Sequence, residues 1–129
     1  FVGIASVAGI RGLPGSGAYS ASKAALINYL ESLRIEMLPF NIQVTTIAPG
    51  YIKTPMTNDN TYTMPFILEV DEAVKRFMKA IDRKRKFVII PWQMNILGTL
   101  MRLLPASIWD FLAKRGPRKL RAMINETFS

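Results

Sequence analysis

The chain has 129 residues, half of them apolar, which suffices for one packed core and argues against a disordered polypeptide. It contains no cysteine and no histidine, so disulfides, thiolate sites and imidazole catalysis are excluded, and we expect no metal site. The formal charge of +8 falls entirely within residues 71–129, whereas residues 1–70 are neutral overall. This asymmetry indicates either an anionic neighbour for the second half or solvated charges at helix ends, such as the run 83–86.

The first predicted elements form a strand–helix–strand unit. Residues 1–6 are an apolar run that predicts a buried strand, and residues 10–17 are rich in Gly and Pro, as loops are. From Ala18 to Leu38 apolar residues recur at helical spacing and predict an amphipathic helix, which Pro39 ends. The β-branched run 42–48 predicts a second strand. This order predicts two parallel strands joined by a crossover helix.

The second half of the chain is predicted to contain one more strand and several helices. The polar connection 49–65 is interpreted as a mobile lid. A second long helix begins at Asp71, and the run 87–90 predicts a third strand. Residues 92–129 predict two or three helices, so we divide the chain into a domain at 1–91 and a basic, amphipathic helical extension at 92–129. The apolar face predicted for the second helix consists of Val70, Val74, Phe77, Met78 and Ile81.

A candidate acid–base pair lies at the start of the first helix. Tyr19 and Lys23 are four residues apart, so helical spacing places them on one face, and an ammonium beside a phenol favours its ionised form. Tyr19 would give a proton to a developing alkoxide or take one from an alcohol, while Ser6 would donate a hydrogen bond to the same oxygen. Taken singly, each residue also fits an ordinary structural role, since serine commonly ends strands and tyrosine is common on helix surfaces.

Three segments occur in order on suitable elements, and together they resemble a known family. They are Ser6–Gly9, Tyr19–Lys23, and Ile47–Gly50 followed by Thr54. With them the sequence resembles the short-chain dehydrogenase/reductase family from Phe1 to about Pro91. The resemblance implies an α/β fold with a Rossmann-type, doubly wound parallel sheet. The chain would hold the last three strands of that sheet with their helices, followed by the helical C-terminal extension.

The resemblance also implies a function and a set of site residues. It implies an oxidoreductase that interconverts a carbonyl and a secondary alcohol of a small molecule, with NAD or NADP as hydride carrier. Ser6 would orient the substrate, Tyr19 would be the acid and base, and Lys23 would tune Tyr19 and bind the nicotinamide ribose. The cofactor-binding residues that it implies are Tyr19, Lys23, Pro49, Gly50, Ile52 and Thr54.

The family's glycine-rich loop is absent from this sequence. Such a loop holds the pyrophosphate at a helix N-terminus, so we expect the isolated chain to bind no dinucleotide and to be inactive. We interpret the chain as the C-terminal part of a longer dehydrogenase, with a partner chain that supplies the missing half as the alternative. In the longer protein, the resemblance implies a homo-oligomer paired through the helix that carries Tyr19.

The apolar and basic character of residues 92–129 allows two interpretations. The predicted helices of this segment either cover a substrate pocket or a subunit interface, or lie on an anionic membrane surface. The two interpretations are compatible, because a pocket that opens towards a bilayer would suit a lipophilic substrate. We expect a cytoplasmic protein, peripheral to a membrane in the second case. The alternative function is a non-catalytic, basic membrane- or partner-binding module on a dehydrogenase scaffold. No motif that reads nucleic acid is recognisable, and we expect no nucleic-acid partner.

Overall fold

Three parallel strands form the sheet at the centre of the protein. The structure is a computed structural model, and it describes residues 1–58 and 63–114. The strands are β1 (Val2–Ile4), β2 (Thr45–Pro49) and β3 (Phe87–Ile90), and they pair in that order. Val2 lies beside Thr45, and Thr46 lies beside Phe87. The predicted α/β class and the parallel strand pair with its crossover helix are confirmed.

Five α-helices lie within the described residues. Helix α1 follows a 3₁₀ turn at Val7–Gly9 and ends just before Pro39, as predicted. A short helix that was not predicted, α2, lies in the connection interpreted as a lid, and residues 59–62 of that connection lie outside the described part. The helices are α1 (Gly17–Glu36), α2 (Pro55–Asn58), α3 (Val70–Asp82), α4 (Trp92–Leu103) and α5 (Ala106–Ala113).

The central strand β2 is the most deeply buried element. Ile47 and Ala48 are fully shielded from solvent, because β2 has a paired strand on each side and the helices α1 and α3 contact it. The strand begins three residues later than predicted, because pairing with β1 starts only at Thr45. It also extends one residue further, to Pro49, which lies beside Ile90. A proline fits at a strand end, where its missing N–H interrupts no further pairing.

Helix α1 packs on the sheet through the apolar face that its spacing predicts. Leu30, at the middle of this face, is buried. Its side chain occupies the space above Gly3 of β1, so that a methyl group at Gly3 would collide with it. The absence of a side chain at Gly3 therefore makes room for Leu30 between the middle of α1 and β1.

The predicted packing face of α3 is partly wrong. The fully buried residues of α3 are Ala73 and Ala80. Phe77 and Ile81 of the predicted face are partly buried, whereas Val70, Val74 and Met78 are about half exposed. The prediction gave weight to the largest apolar side chains. The structure instead buries the two alanines most deeply, with Phe77 and Ile81 beside them.

Helix α4 packs directly on β3. Met94 is buried together with Ala48 and Ile89, and Gly98 lies against Ile10 in the loop before α1. A methyl group at Gly98 would lie 2.7 Å from the Cδ1 atom of Ile10, so α4 and this loop touch. The division at residue 91 stays a prediction, and residues 115–129 of the predicted extension lie outside the described part.

Candidate active site

The predicted site residues next to the sheet lie at the carboxyl ends of neighbouring strands. Ser6 follows β1, and the Ala5 amide donates a hydrogen bond to the Ile47 carbonyl of β2 at 2.7 Å. Gly50 follows β2, and its amide donates to the Ile90 carbonyl of β3 at 2.8 Å. Open parallel sheets bind their ligands at this edge. Ser6 and the Pro49–Gly50 turn therefore lie where a ligand site is expected.

The hydroxyl group of Ser6 has a fixed position. Ser6 is only 8% exposed, and its extended backbone places it immediately before the 3₁₀ turn at Val7–Gly9. Its Oγ atom accepts a hydrogen bond from the Ala8 amide at 3.1 Å, which caps the turn. A hydroxyl that accepts one bond can still donate its hydrogen to another partner. The cap thus holds Ser6 as a donor.

Gly9 brings this turn against the helix that carries the predicted acid–base pair. A Cβ atom at Gly9 would lie 2.7 Å from the backbone carbon of Lys23 and 2.9 Å from the backbone nitrogen of Ala24. Backbone atoms cannot move aside as the end of a side chain can, so only glycine fits at this position. The sequence pattern assigns no structural role to Gly9, although it lies within the Ser6–Gly9 segment. The contact fixes Ser6 relative to Lys23.

Tyr19 and Lys23 lie together on the first turns of α1. The Lys23 Nζ atom is 5.6 Å from the centroid of the Tyr19 ring, which is within the range of a cation–π contact. The same atom lies 3.4 Å from the Ile4 carbonyl at the end of β1, a long hydrogen bond. Half of the Tyr19 surface is exposed. The ammonium therefore stands between the phenol and the strand end that leads to Ser6.

The segment with Ile52 and Thr54 is organised by a residue that the sequence pattern missed. The Oγ1 atom of Thr57 accepts a hydrogen bond from the Thr54 amide at 2.8 Å. The same hydroxyl directs its hydrogen towards two carbonyls, that of Ile52 at 3.0 Å and that of Thr54 at 2.9 Å, which share the bond. One hydroxyl on α2 thus holds the turn after β2. The available signal was a threonine three residues after Thr54, a spacing at which its hydroxyl reaches back to the backbone.

The two ends of the connection between β2 and α3 are tied together. The Leu68 amide donates to the Tyr51 carbonyl at 3.0 Å, and the Lys53 amide donates to the Leu68 carbonyl at 2.8 Å. The Lys53 ammonium also forms an exposed ion pair with Glu69 at 2.9 Å. The base of the predicted lid is therefore a short piece of parallel pairing that extends the carboxyl edge of the sheet.

An apolar cleft of about 400 Å³ opens beside this edge. Ser16 and Tyr51 contribute hydroxyl groups to its lining, and Trp109 contributes an indole ring with an N–H group. The remaining walls come from the turn after Ser6, the loop before α1, Pro65, and the helices α4 and α5. The lining residues are Val7, Ala8, Leu13, Pro14, Ser16, Tyr51, Pro65, Met94, Leu97, Gly98, Leu100, Met101, Leu104, Trp109, Leu112 and Ala113.

The described helices of the predicted extension therefore cover a pocket with part of their apolar surface. Another part faces outwards, since Trp92, Ile96 and Leu103 are all more than 60% exposed. No helix among residues 1–58 and 63–114 is both long and apolar enough to cross a membrane. In the same ranges no three acidic side chains lie close enough together to hold a metal ion.

The chain is similar in sequence to known proteins. The family model described as short chain dehydrogenase matches residues 1–65. An uncharacterized oxidoreductase of Myxococcus xanthus is 41% identical over 114 residues, which cover 88% of this chain and 45% of the relative.

Solved structures show the same similarity. A short chain dehydrogenase from Burkholderia cenocepacia in complex with NADP superposes with a TM-score of 0.66 at 25% identity, over 81% of this chain and 47% of that one. A 4-hydroxyisoleucine dehydrogenase complexed with NADH gives a TM-score of 0.56 at 28% identity, over 69% and 43% of the two chains. The chain thus spans less than half the length of each of these proteins.

Proposed function

The chain belongs to the short chain dehydrogenase family, and from this premise we propose that it carries the proton-transfer residues of an oxidoreductase that interconverts a carbonyl and a secondary alcohol. The observation that carries the proposal is the position of the Lys23 ammonium, 5.6 Å from the centroid of the Tyr19 ring and 3.4 Å from the carbonyl at the end of β1. Ser6 follows that strand end by two residues. Three groups suited to proton handling therefore lie around one edge of the sheet.

Tyr19 is the proposed acid and base. In carbonyl reduction its hydroxyl gives a proton to the oxygen as negative charge develops there, and in alcohol oxidation it takes that proton back. The Lys23 ammonium, 5.6 Å from the centroid of the Tyr19 ring, attracts the negative charge that develops on the reacting oxygens. The Ser6 hydroxyl, fixed by its bond to the Ala8 amide, donates to the same oxygen and orients it.

The residues at the strand ends fit the nicotinamide end of NAD or NADP. Tyr19 and Lys23 offer a hydroxyl and an ammonium as ribose partners, and the tied turn after β2 presents Pro49, Gly50, Ile52 and Thr54 at the edge where parallel sheets bind nucleotides. The relatives bound to NADP and to NADH support this assignment. When bound, the nicotinamide supplies the hydride to the carbonyl carbon or accepts it from the alcohol.

Replacing the phenol tests the proposal. In the intact protein, Tyr19→Phe removes the proton donor and should lower kcat for ketone reduction about 100- to 10,000-fold. Tyr29→Phe is the matched control, because Tyr29 is also an exposed tyrosine on α1 and should keep kcat within about twofold. Near-normal turnover in Tyr19→Phe, with the fold preserved by circular dichroism, would falsify the assignment of Tyr19.

A second candidate function is attachment to an anionic membrane surface. It is favoured by the exposed apolar row on α4, in which Trp92, Ile96 and Leu103 lie at helical spacing. The sequence adds positive charge, since the excess of +8 falls within residues 71–129. Apolar insertion combined with basic residues is the combination that binds anionic lipid. Flotation with lipid vesicles tests this candidate.

A further inference from the structure

Arg11 joins two parts of the chain that are far apart in sequence. It lies in the loop between the 3₁₀ turn and α1, and its Nη1 atom donates to the Met101 carbonyl at 2.8 Å and to the Leu104 carbonyl at 2.7 Å. These carbonyls belong to the end of α4, where helix carbonyls lack partners within the helix. The guanidinium thus caps the C-terminus of α4 with short, charge-assisted hydrogen bonds.

The same guanidinium also holds α5. Its central carbon lies 5.3 Å from the centroid of the Trp109 ring, close enough for a cation–π contact. Arginine suits this double role, because its planar group can stack on an aromatic ring while its N–H groups point outwards in the plane. A single side chain therefore fixes both the end of α4 and the start of α5.

These contacts lie on the walls of the apolar cleft. Met101, Leu104 and Trp109 line one side of it, and Leu13 and Pro14, from the loop that contains Arg11, line another. We propose that Arg11 is a positioning residue that fixes the α4–α5 wall relative to this loop, and that the cleft holds a long or bulky hydrocarbon group of the substrate. This inference rests on the proposed carbonyl–alcohol chemistry, and it adds the substrate class and the residue that governs it.

The inference predicts how activity depends on the length of the substrate. Each methylene group that enters an apolar cleft contributes about 0.8 kcal/mol, or about a fourfold gain in kcat/KM. Along a series of methyl ketones, from methyl ethyl ketone to methyl nonyl ketone, kcat/KM should therefore rise steeply until the cleft is full. We expect short ketones to make fewer contacts with the wall held by Arg11, so their turnover should depend less on that residue.

Three variants of the intact protein make the test specific. Arg11→Ala should raise KM for methyl nonyl ketone about tenfold, through loss of charge-assisted bonds, and raise KM for methyl ethyl ketone by a much smaller factor. Arg11→Lys keeps the charge without the planar fork and should give an intermediate KM. Arg76→Ala is the control, because Arg76 pairs with Glu72 on α3, which contributes no residue to the cleft. Parallel chain-length profiles for the unmodified protein and Arg11→Ala would overturn the inference.

Hydrogen exchange provides a readout that does not need turnover. The α5 amides should exchange about tenfold faster in Arg11→Ala than in Arg76→Ala, and methyl nonyl ketone should slow their exchange in the unmodified protein. If no ketone is reduced but both exchange effects appear, the proposed chemistry fails and the cleft assignment stands. If ketones are reduced but exchange is the same in both variants, the role of Arg11 is refuted.

Discussion

A single methyl group at Gly9 should disturb catalysis more than it disturbs the fold. In Gly9→Ala the added Cβ atom would stand 2.7 Å from the backbone carbon of Lys23 and 2.9 Å from the backbone nitrogen of Ala24. Carbon atoms prefer a separation of about 3.5 Å, so the 3₁₀ turn and α1 must separate by about 0.8 Å. The atoms that must move are backbone, so a side-chain rotation cannot relieve the contact.

The size of the effect follows from this displacement. Overfilling a packed site costs about 1–3 kcal/mol, which a domain stable by about 5–15 kcal/mol can tolerate. Ser6 lies on one side of the widened contact, and Tyr19 and Lys23 lie on the other. Misplacing catalytic groups by about 1 Å can lower a rate about 100-fold. We therefore expect kcat to fall about 10- to 100-fold while the protein remains folded.

The assay compares Gly9→Ala with Gly12→Ala in the intact protein. A Cβ atom at Gly12 would meet no atom within 4 Å, although Gly12 lies only three residues further along the chain. Ketone turnover and urea unfolding should be measured for both variants. A normal kcat in Gly9→Ala, or an equal loss of kcat in Gly12→Ala, would refute the close approach as the reason for the glycine.

Two further predictions concern the turn after β2 and the outer face of α4. Thr57→Val removes the hydroxyl that pairs with the Thr54 amide, so KM for the nicotinamide cofactor should rise about tenfold, whereas Thr57→Ser should keep it near normal. In flotation assays the protein should bind vesicles that contain phosphatidylglycerol, and added salt should release it by screening the charges. A variant with both Trp92→Ser and Leu103→Ser should bind these vesicles less. An unchanged KM for the cofactor in Thr57→Val would count against the proposed role of the turn after β2. Equal failure to float with neutral and with anionic vesicles would count against membrane attachment.

Patterns over short stretches of the sequence predict the elements that neighbouring residues determine. The run 87–90 predicts β3 with its observed bounds, and the helical spacing from Ala18 onwards predicts α1 to within two residues at each end. The contact between Tyr19 and Lys23 follows from the geometry of four residues on one helix. Each of these depends on residues close together in the chain, which is why the sequence alone suffices.

Contacts between distant segments could not be predicted in this way. Arg11 bonds to the Met101 carbonyl across 90 residues, and an isolated arginine among glycines shows no periodic pattern. The face of α3 was predicted from its bulky residues, but Ala73 and Ala80 are its most deeply buried residues, and this burial depends on contacts with segments distant in the sequence. The need for glycine at position 9 could not be predicted either, because it arises from the contact with the backbone of Lys23.

Gly9 and Arg11 lie two residues apart, and they fix the same short segment against different neighbours. Gly9 sets the turn against α1, which carries the proposed acid–base pair, and Arg11 sets the loop against α4 and α5, which form the cleft wall. The first contact lies next to groups that act on every substrate, so its loss should lower kcat for short and long ketones alike. The second contact lies away from the reacting groups, so its loss should change KM mainly for substrates that reach the wall. Substitutions at Gly9 and Arg11 should therefore separate the rate of the chemical step from the choice of substrate, although the two residues are only two positions apart.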